Sequence, residues 1–232
     1  MWQLSVAQRI RNLERQILEL SAWRNALEHV LQAWTMTPPM GKTRAIRVGE
    51  PWGFTDGTHG YSTHTQGAVR FAAQFTIPET LRGFAVELEL DCGGEAFVEI
   101  SGSSSFRGGL NPFHKAFKLL EQAQGGEAFA VQVWVVPKGL FGSRVEQPSL
   151  ARAALVAPHP EVRGLLHDLT LLHQAVQALG EHEVVAQLLN AAEDVLQELP
   201  WTSSATQYLS RLLHGTAGTG YELSIYWSLP KI

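Results

Sequence analysis

Residues 84–91, Phe-Ala-Val-Glu-Leu-Glu-Leu-Asp, alternate between apolar and polar side chains. A period of two places successive side chains on opposite faces of a β-strand. One face of this stretch carries only apolar groups, and the other carries two carboxylates, Glu87 and Glu89. Such a strand has one face in a core and the other turned outward, which is typical of antiparallel sheets.

The same alternation recurs on both sides of this stretch, at residues 69–77, 96–101 and 128–136. Glycine-containing turns separate the runs, at residues 93–94, 102, 108–109 and 125–126. Many short strands joined by such turns predict an antiparallel β-sandwich, jelly-roll-like in character, over residues 41–157.

A long amphipathic helix is expected before the sandwich, within an N-terminal segment of residues 1–40. Apolar side chains fall every three or four residues from Val6 to Trp34, with Arg24 as the one break, and Pro38-Pro39 follows. A helix over residues 5–34 would be about 45 Å long. Its apolar stripe requires a partner, which is either the later helices of the same chain or a second copy or another domain.

A helical hairpin is expected after the sandwich, over residues 158–200. Pro160 suits a first helical turn, Gly180 suits a helix C-terminus, and Pro200 ends the second helix. We expect this hairpin to pack with the N-terminal helix. The tail, residues 201–232, has no definite prediction, and the whole chain is assigned to the α+β class.

Composition narrows the possible functions. The 232 residues carry a net charge of −4, with no basic stripe, which argues against nucleic acid as a partner. No apolar run is long enough to cross a membrane, and the N-terminus lacks the pattern of a signal peptide. We therefore expect a cytoplasmic protein without a membrane partner. The single cysteine, Cys92, is expected to be a buried, inert thiol.

No motif for catalysis is found. The nine histidines include no HExxH pair, and His59 and His64, in a glycine- and threonine-rich loop, do not by themselves indicate a metal site. Neither a GxSxG elbow nor a phosphate-binding glycine loop is present. The carboxylates of Asp91, Glu95 and Glu99 are interpreted as turn or surface groups rather than an acid–base pair. We expect no catalytic residue, no metal ligand and no cofactor in this chain.

Four residues are candidates for contact with a carbohydrate or another domain: Trp52, Glu95, Asn111 and His114. Trp52 is either a packed aromatic anchor or a platform on which a sugar stacks. Asn111 and His114 lie in a loop, residues 101–117, where they either recognise a ligand or close the loop by bonding to its backbone. An exposed Trp52 or Trp134 beside this loop would favour carbohydrate binding.

Several short motifs occur in the order RVGEPWG, FTIPETL, LELDCGGEAFVEISG and GGLNPFHKAFKL. In this order they resemble the N-terminal domain of glycoside hydrolase family 38 α-mannosidases. The matching positions are Trp52-Gly53, Ile77-Pro78, Gly93-Gly94-Glu95, Ser101-Gly102 and the loop from Gly109 to His114. The resemblance extends from residue 10 to about residue 199.

The chain also departs from that family. Residues 68–71, Ala-Val-Arg-Phe, stand where the family has a tryptophan, and Ser101-Gly102 stands in place of Asp-Gly. The His-x-Asp-x-Ala-Trp-Leu-Trp motif that opens the family's catalytic domain does not occur. The resemblance therefore implies that the catalytic domain is missing, together with its divalent metal, which in that family is expected to be zinc.

The resulting hypothesis is a non-catalytic accessory or assembly domain of an α-mannosidase, inactive on its own. Its partner would be the catalytic domain or a second copy of the chain, with Trp34 and the apolar helical stripes as the contact surface. The alternatives are a free-standing carbohydrate-binding module and a structural oligomerisation domain.

Overall fold

The computed structural model describes residues 4–39, 41–52, 68–138, 145 and 147–199. The chain divides into two compact units. One, the helical unit, contains the described residues up to 26 together with those from 164 onward. The other, the sandwich unit, contains the described residues from 27 to 163.

Over the described residues, the element order is one helix, ten strands and two helices, with one short 3₁₀-helix (Glu79–Leu81) after the fourth strand. The helices are α1 (Val6–Ser21), α2 (Pro160–Leu179) and α3 (Val184–Gln197). The strands are β1 (Asn25–Val30), β2 (Trp34–Thr37), β3 (Arg44–Ile46), β4 (Val69–Thr76), β5 (Val86–Asp91), β6 (Glu95–Gly102), β7 (Phe106–Leu110), β8 (Ala116–Leu120), β9 (Ala128–Val136) and β10 (Arg152–Pro158).

The strands form two sheets. The four-stranded sheet has the order β1-β10-β5-β8, and the six-stranded sheet has the order β3-β2-β4-β9-β6-β7. The strand pairs whose register is defined are all antiparallel. This arrangement confirms the predicted α+β fold with an antiparallel sandwich, an N-terminal helix and a C-terminal helical hairpin.

The apolar faces of the predicted strands form the sandwich core. Phe71, Leu88, Val131 and Val133 are all completely buried. In β4 and β9 the buried residues alternate with outward-facing neighbours, so these strands give one face to the core and present the other on the outside of the sheet.

The N-terminal helix is shorter than the sequence predicted. Its capping box at Ser5 forms as expected for a helix N-terminus, since the Ser5 hydroxyl accepts from the Gln8 backbone N–H and the Ser5 N–H donates to the Gln8 side chain. The helix ends at Ser21 rather than at residue 34, and the chain continues into β1 and β2.

The error arose because the apolar residues after Arg24 also fit a strand. In β2, Trp34 and Met36 are buried while Thr35 is exposed, which is a period of two. β-branched threonines favour strands, and pairing of β2 with β4 outweighs the helical spacing. Trp34, expected on a helical contact surface, is instead 2% exposed within the sandwich unit.

In the helical unit, α1 contacts α3 through Arg9. Its guanidinium donates to both carboxylate oxygens of Glu193, at 2.7 and 2.8 Å, and to the Asn190 side chain at 2.6 Å.

Gly180 follows α2 with φ of +59°, the left-handed conformation that the sequence predicted for a helix C-terminus. Pro200 and the tail, residues 201–232, lie outside the described residues.

Glu89 is the most buried carboxylate of the four-stranded sheet, with 6% of its surface exposed. It accepts hydrogen bonds from Arg152 and from Arg163, whose side chain also donates to Glu87 at 2.6 Å. Arg152 donates in turn to Glu28 at 2.8 Å. Burial lowers the pKa of the Arg152 guanidinium, but its hydrogen bonds to Glu28 and Glu89 outweigh burial and raise that pKa overall.

We predict that Glu89→Gln destabilises the sandwich by about 3 kcal/mol, because it leaves two guanidinium groups partly buried without their shared carboxylate. The matched control is Glu99→Gln, which removes a strand carboxylate from an exposed ion pair and is expected to cost less than about 1 kcal/mol. Urea denaturation of both variants measures the difference. Equal losses would show that the Glu89 pairs contribute no more than an exposed ion pair.

Replacement of Gly94 and of Gly164 by alanine is expected to change the stability of the chain in opposite directions. A Cβ at Gly94 would lie 2.1 Å from the Val136 carbonyl oxygen, whereas one at Gly164, on the exposed side of α2, would meet nothing within 4 Å. We predict that Gly94→Ala destabilises the chain by about 1–3 kcal/mol and that Gly164→Ala stabilises it by about 1 kcal/mol. Urea denaturation checks both; a tolerated Gly94→Ala would contradict the close approach of the two strands.

Cys92 is buried in the sandwich unit, as the sequence predicted. Burial, with a smaller contribution from the charge of Asp91, raises the pKa of the thiol far above its ordinary value. Since only the thiolate reacts, we predict no labelling by iodoacetamide at pH 8 in the native state and complete labelling in guanidinium chloride. Rapid labelling of the native chain would contradict this burial.

Candidate functional site

The six-stranded sheet presents a broad outward surface, formed by the side chains of β4, β9, β6 and β7 that do not enter the core. We call this surface the outer face. It includes Arg70, Ala72, Gln74 and Thr76 of β4, Ala128, Ala130, Gln132, Trp134 and Val136 of β9, Glu95, Phe97, Glu99 and Ser101 of β6, and Arg107 and Gly109 of β7.

An aromatic pair lies near one end of the outer face. Trp134 and Phe97 are directly opposite each other in the β6–β9 register, and their ring centroids are 6.0 Å apart at an angle of 40°. Trp134 is half-buried and Phe97 is 45% exposed. On the other side of Trp134, the register partner is Arg70 of β4. Two aromatic rings with accessible surface therefore lie side by side next to a cation.

Polar groups occupy the next row of the outer face. Gln132 of β9 lies opposite Glu99 of β6, and Glu99 lies opposite Arg107 of β7. The Arg107 Nε atom is 3.0 Å from the Glu99 carboxylate, and both side chains are accessible to solvent. Such an exposed ion pair contributes little stability. It does hold a donor and an acceptor at fixed positions beside the aromatic pair.

Two depressions lie on the outer face, one at this row and one farther along β9. One has a volume of about 620 Å³, and Ser101, Ala130 and Gln132 are among its lining residues. The other, of about 690 Å³, is lined by residues that include Gln74, Ser101 and Ala130. Since they share Ser101 and Ala130, the depressions adjoin. The side chains at the shared positions are small, and outward neighbours such as Gln74 and Gln132 are longer.

Trp52 does not belong to this surface. It is 1% exposed, its indole N–H donates to the Cys92 carbonyl oxygen at 2.8 Å, and its ring meets Phe71 edge-on with centroids 5.5 Å apart. Of the two roles that the sequence left open, the geometry is that of a packed aromatic anchor. Stacking of a sugar on this ring would require the core to open.

Asn111 and His114 close the turn between β7 and β8. The Asn111 side-chain oxygen accepts from the backbone N–H groups of Phe113 and His114, at 2.9 and 3.0 Å. The His114 Nδ1 atom lies 2.9 Å from the Gly109 carbonyl oxygen, and its ring packs edge-on against Phe117. These contacts give both residues a local role in the turn, and their contact with a ligand stays a prediction.

Glu95 is the predicted site residue that the fold brings to the outer face. It begins β6, lies opposite Val136, and is two positions from Phe97 on the same side of the strand. Asp91, its neighbour across the glycine turn, accepts from the Gly93 N–H and pairs with Lys115 at 2.6 Å. Asp91 therefore stabilises local structure, in line with the interpretation of these carboxylates as turn groups.

Sequence reasoning missed most of the outer face, including Arg70, Phe97, Gln132 and Arg107. A usable signal was present in β9, where Gln132 and Trp134 interrupt the apolar run at the outward positions. A tryptophan at an outward position of a central strand is a large apolar group that the core does not require.

The described residues contain no group of three or more His, Cys, Asp and Glu side chains placed to hold a metal ion. The loop histidines, His59 and His64, lie outside the described residues. Among the described helices, none is long and apolar enough to cross a membrane.

Comparison with known proteins gave matches among solved structures only. No family model matches the chain, and no curated protein matches it. Over 56–57% of its length the chain is similar to parts of glycoside hydrolases. Examples are an FMN-binding β-glucuronidase from Facaelibacterium prausnitzii L2-6 (19% identity, TM-score 0.37), a β-glucuronidase from Ruminococcus gnavus (14%, 0.36), and a glycosyl hydrolase family 2 member from Bacteroides cellulosilyticus DSM 14838 (16%, 0.36).

This chain spans only 22%, 28% and 20% of the lengths of those three proteins, respectively. The expected relationship to family 38 α-mannosidases is wrong, because the similar structures are β-glucuronidases and a family 2 hydrolase. The motifs that suggested it are mainly turn signals, such as Gly93-Gly94 and Asn111-Pro112, which antiparallel sandwiches in general require. The zinc-dependent catalytic domain and the mannoside substrate implied by that resemblance lose their basis with it.

Proposed function

We propose that this chain is a non-catalytic accessory module that binds carbohydrate on the outer face of its six-stranded sheet. The observation that carries the proposal is the pair formed by Trp134 and Phe97, which presents accessible aromatic surface beside polar side chains. The Asn111–His114 turn adjoins β7 at one border of this surface.

The chemistry of a sugar matches such a surface. One side of a pyranose ring consists of C–H groups and packs against an aromatic ring, while its hydroxyl groups both donate and accept hydrogen bonds. Trp134 and Phe97 would provide the packing surface. Gln132, Glu99 and Arg107 would supply the amide, carboxylate and guanidinium groups that pair with hydroxyls.

A binding role accounts for the exposed rings better than a purely structural one. Cross-strand aromatic pairs do stabilise sheets, by about 0.2–1 kcal/mol relative to a pair of alanines. A structural pair, however, gains most when its surface is covered, and 45% of the Phe97 surface is exposed.

The test is carbohydrate binding by the Trp134→Ala variant. We predict retention of the unmodified chain in affinity gels that contain neutral polysaccharides, and at least tenfold weaker binding by the variant, a loss of about 1.4 kcal/mol. Urea denaturation is expected to show that the variant loses no more than about 1 kcal/mol of stability, because the indole lies on the outside of the sheet and the variant loses one cross-strand aromatic pair.

Phe113→Ala provides the matched control, because it removes an aromatic ring that is 85% exposed but belongs to the β7–β8 turn. This variant is expected to bind like the unmodified chain. If Phe113→Ala abolished binding and Trp134→Ala did not, the site would lie at the turn with Asn111 and His114. Absence of binding to every polysaccharide would refute the proposed function.

A further inference from the structure

We infer that the ligand of the outer face is an uncharged oligosaccharide of several units that lies along β9, with one end stacked on Trp134 and Phe97. The inference rests on the proposed carbohydrate-binding function and adds the charge class and the length of the ligand. It is drawn from the charge balance of the face and from the extent of its depressions.

The outer face carries equal numbers of positive and negative side chains. Among the described residues of the outer face, the positive groups are Arg70 and Arg107, and the negative groups are Glu95 and Glu99. The two positive and two negative charges therefore cancel, and Glu99 and Arg107 form an ion pair at 3.0 Å.

A polyanionic glycan would bring its carboxylates close to Glu95 and Glu99, and a polycationic glycan would bring its amines close to the two arginines. Juxtaposed like charges at an interface are strongly unfavourable. Hydroxyl groups avoid this repulsion, because they donate to a carboxylate and accept from a guanidinium. A face of interleaved donors and acceptors with no net charge therefore favours a neutral ligand.

The outer face is long enough to contact several sugar units. From Trp134 to Ala128 the outward positions of β9 span six residues, or about 20 Å of strand, which is several times the width of one sugar ring. The two depressions adjoin at Ser101 and Ala130, so the low surface continues from the polar row beside the aromatic pair to the far end of β9.

A substitution at Ala130 can distinguish ligand contacts at the two ends of this surface. Ala130 faces outward between Gln74 on β4 and Ser101 on β6. A tyrosine at this position would fill the depression without entering the core. Ala130→Tyr should therefore block the part of the ligand that extends beyond the aromatic pair, whereas Trp134→Ala removes the stacking contact itself.

The experiment is isothermal titration of the full chain with neutral gluco-, manno- and galacto-oligosaccharides of one to six units, and with oligogalacturonides and chitosan oligomers of matched length. For the neutral series that binds, we expect affinity to rise at least tenfold from one to four units. We expect the affinity for the neutral oligosaccharides to change less than twofold between about 50 and 500 mM NaCl. The charged oligomers are expected to bind at least tenfold more weakly than neutral oligomers of the same length.

The variants complete the test. Ala130→Tyr is expected to remove the gain with chain length, so that tetrasaccharides bind this variant no more tightly than monosaccharides do. Trp134→Ala is expected to weaken binding at every length. Urea denaturation of Ala130→Tyr shows whether the substitution is tolerated, and Gln74→Ala tests the same depression with a smaller change.

The outcomes separate the two proposals. A monosaccharide that binds as tightly as a hexasaccharide, or a charged glycan that binds best and loses affinity in salt, would overturn the inference while carbohydrate binding stands. Failure of every saccharide to bind would overturn both. A concentration-dependent dimer that Trp134→Ala dissociates, in sedimentation velocity, would assign the face to self-association and also overturn both.

Discussion

Pairing of β9 with a neighbour on each side is the constraint on which the sandwich unit depends. β9 pairs with β4 over eight residues and with β6 over eight residues. Because side chains alternate along a strand, this double register decides the direction of every side chain on the three strands at once. A shift of one residue would place Val131 and Val133 in solvent and Gln132 and Trp134 in the core.

The same register creates the outer face. Directly opposite positions in adjacent strands lie close enough for their side chains to interact. The register brings Trp134 of β9 next to Phe97 of β6. It also brings Glu99 of β6 next to Arg107 of β7. Likewise it aligns Ala130 with Ser101, and these two small side chains leave the floor of the depressions low. The contrast with the four-stranded sheet is marked, since there the outward carboxylate Glu89 is buried among arginine partners.

Trp34, Trp52 and Trp134 show how tertiary context assigns different roles to one residue type. Trp34 and Trp52 are almost fully buried, and each indole N–H donates to a backbone carbonyl oxygen, that of Leu31 and that of Cys92. Trp134 lies on the opposite side of its sheet, with part of its ring accessible. Trp52, for which the sequence left both a packed anchor and a sugar platform open, has the geometry of the anchor.

Local chemistry in the sequence determined the classes of structure. Period-two alternation in residues 84–91 and 128–136 specified strands with one buried face, and turn residues such as Gly93 and Asn111 specified where the chain reverses. Gly180 and the spacing of the final helices specified the hairpin. These features depend on neighbours within a few residues, so the sequence displays them directly.

Long-range pairing decided the rest. Residues 25–37 carry apolar side chains that suit either a helix or a strand, and pairing with β10 and β4 selected the strand. The outer face combines residues from four strands, between positions 70 and 136, and no local sequence pattern indicates that they meet. A surface of this kind forms only when the register brings together side chains that the sequence keeps apart, which is why the sequence predicted the sandwich and the tertiary structure alone located its outer face.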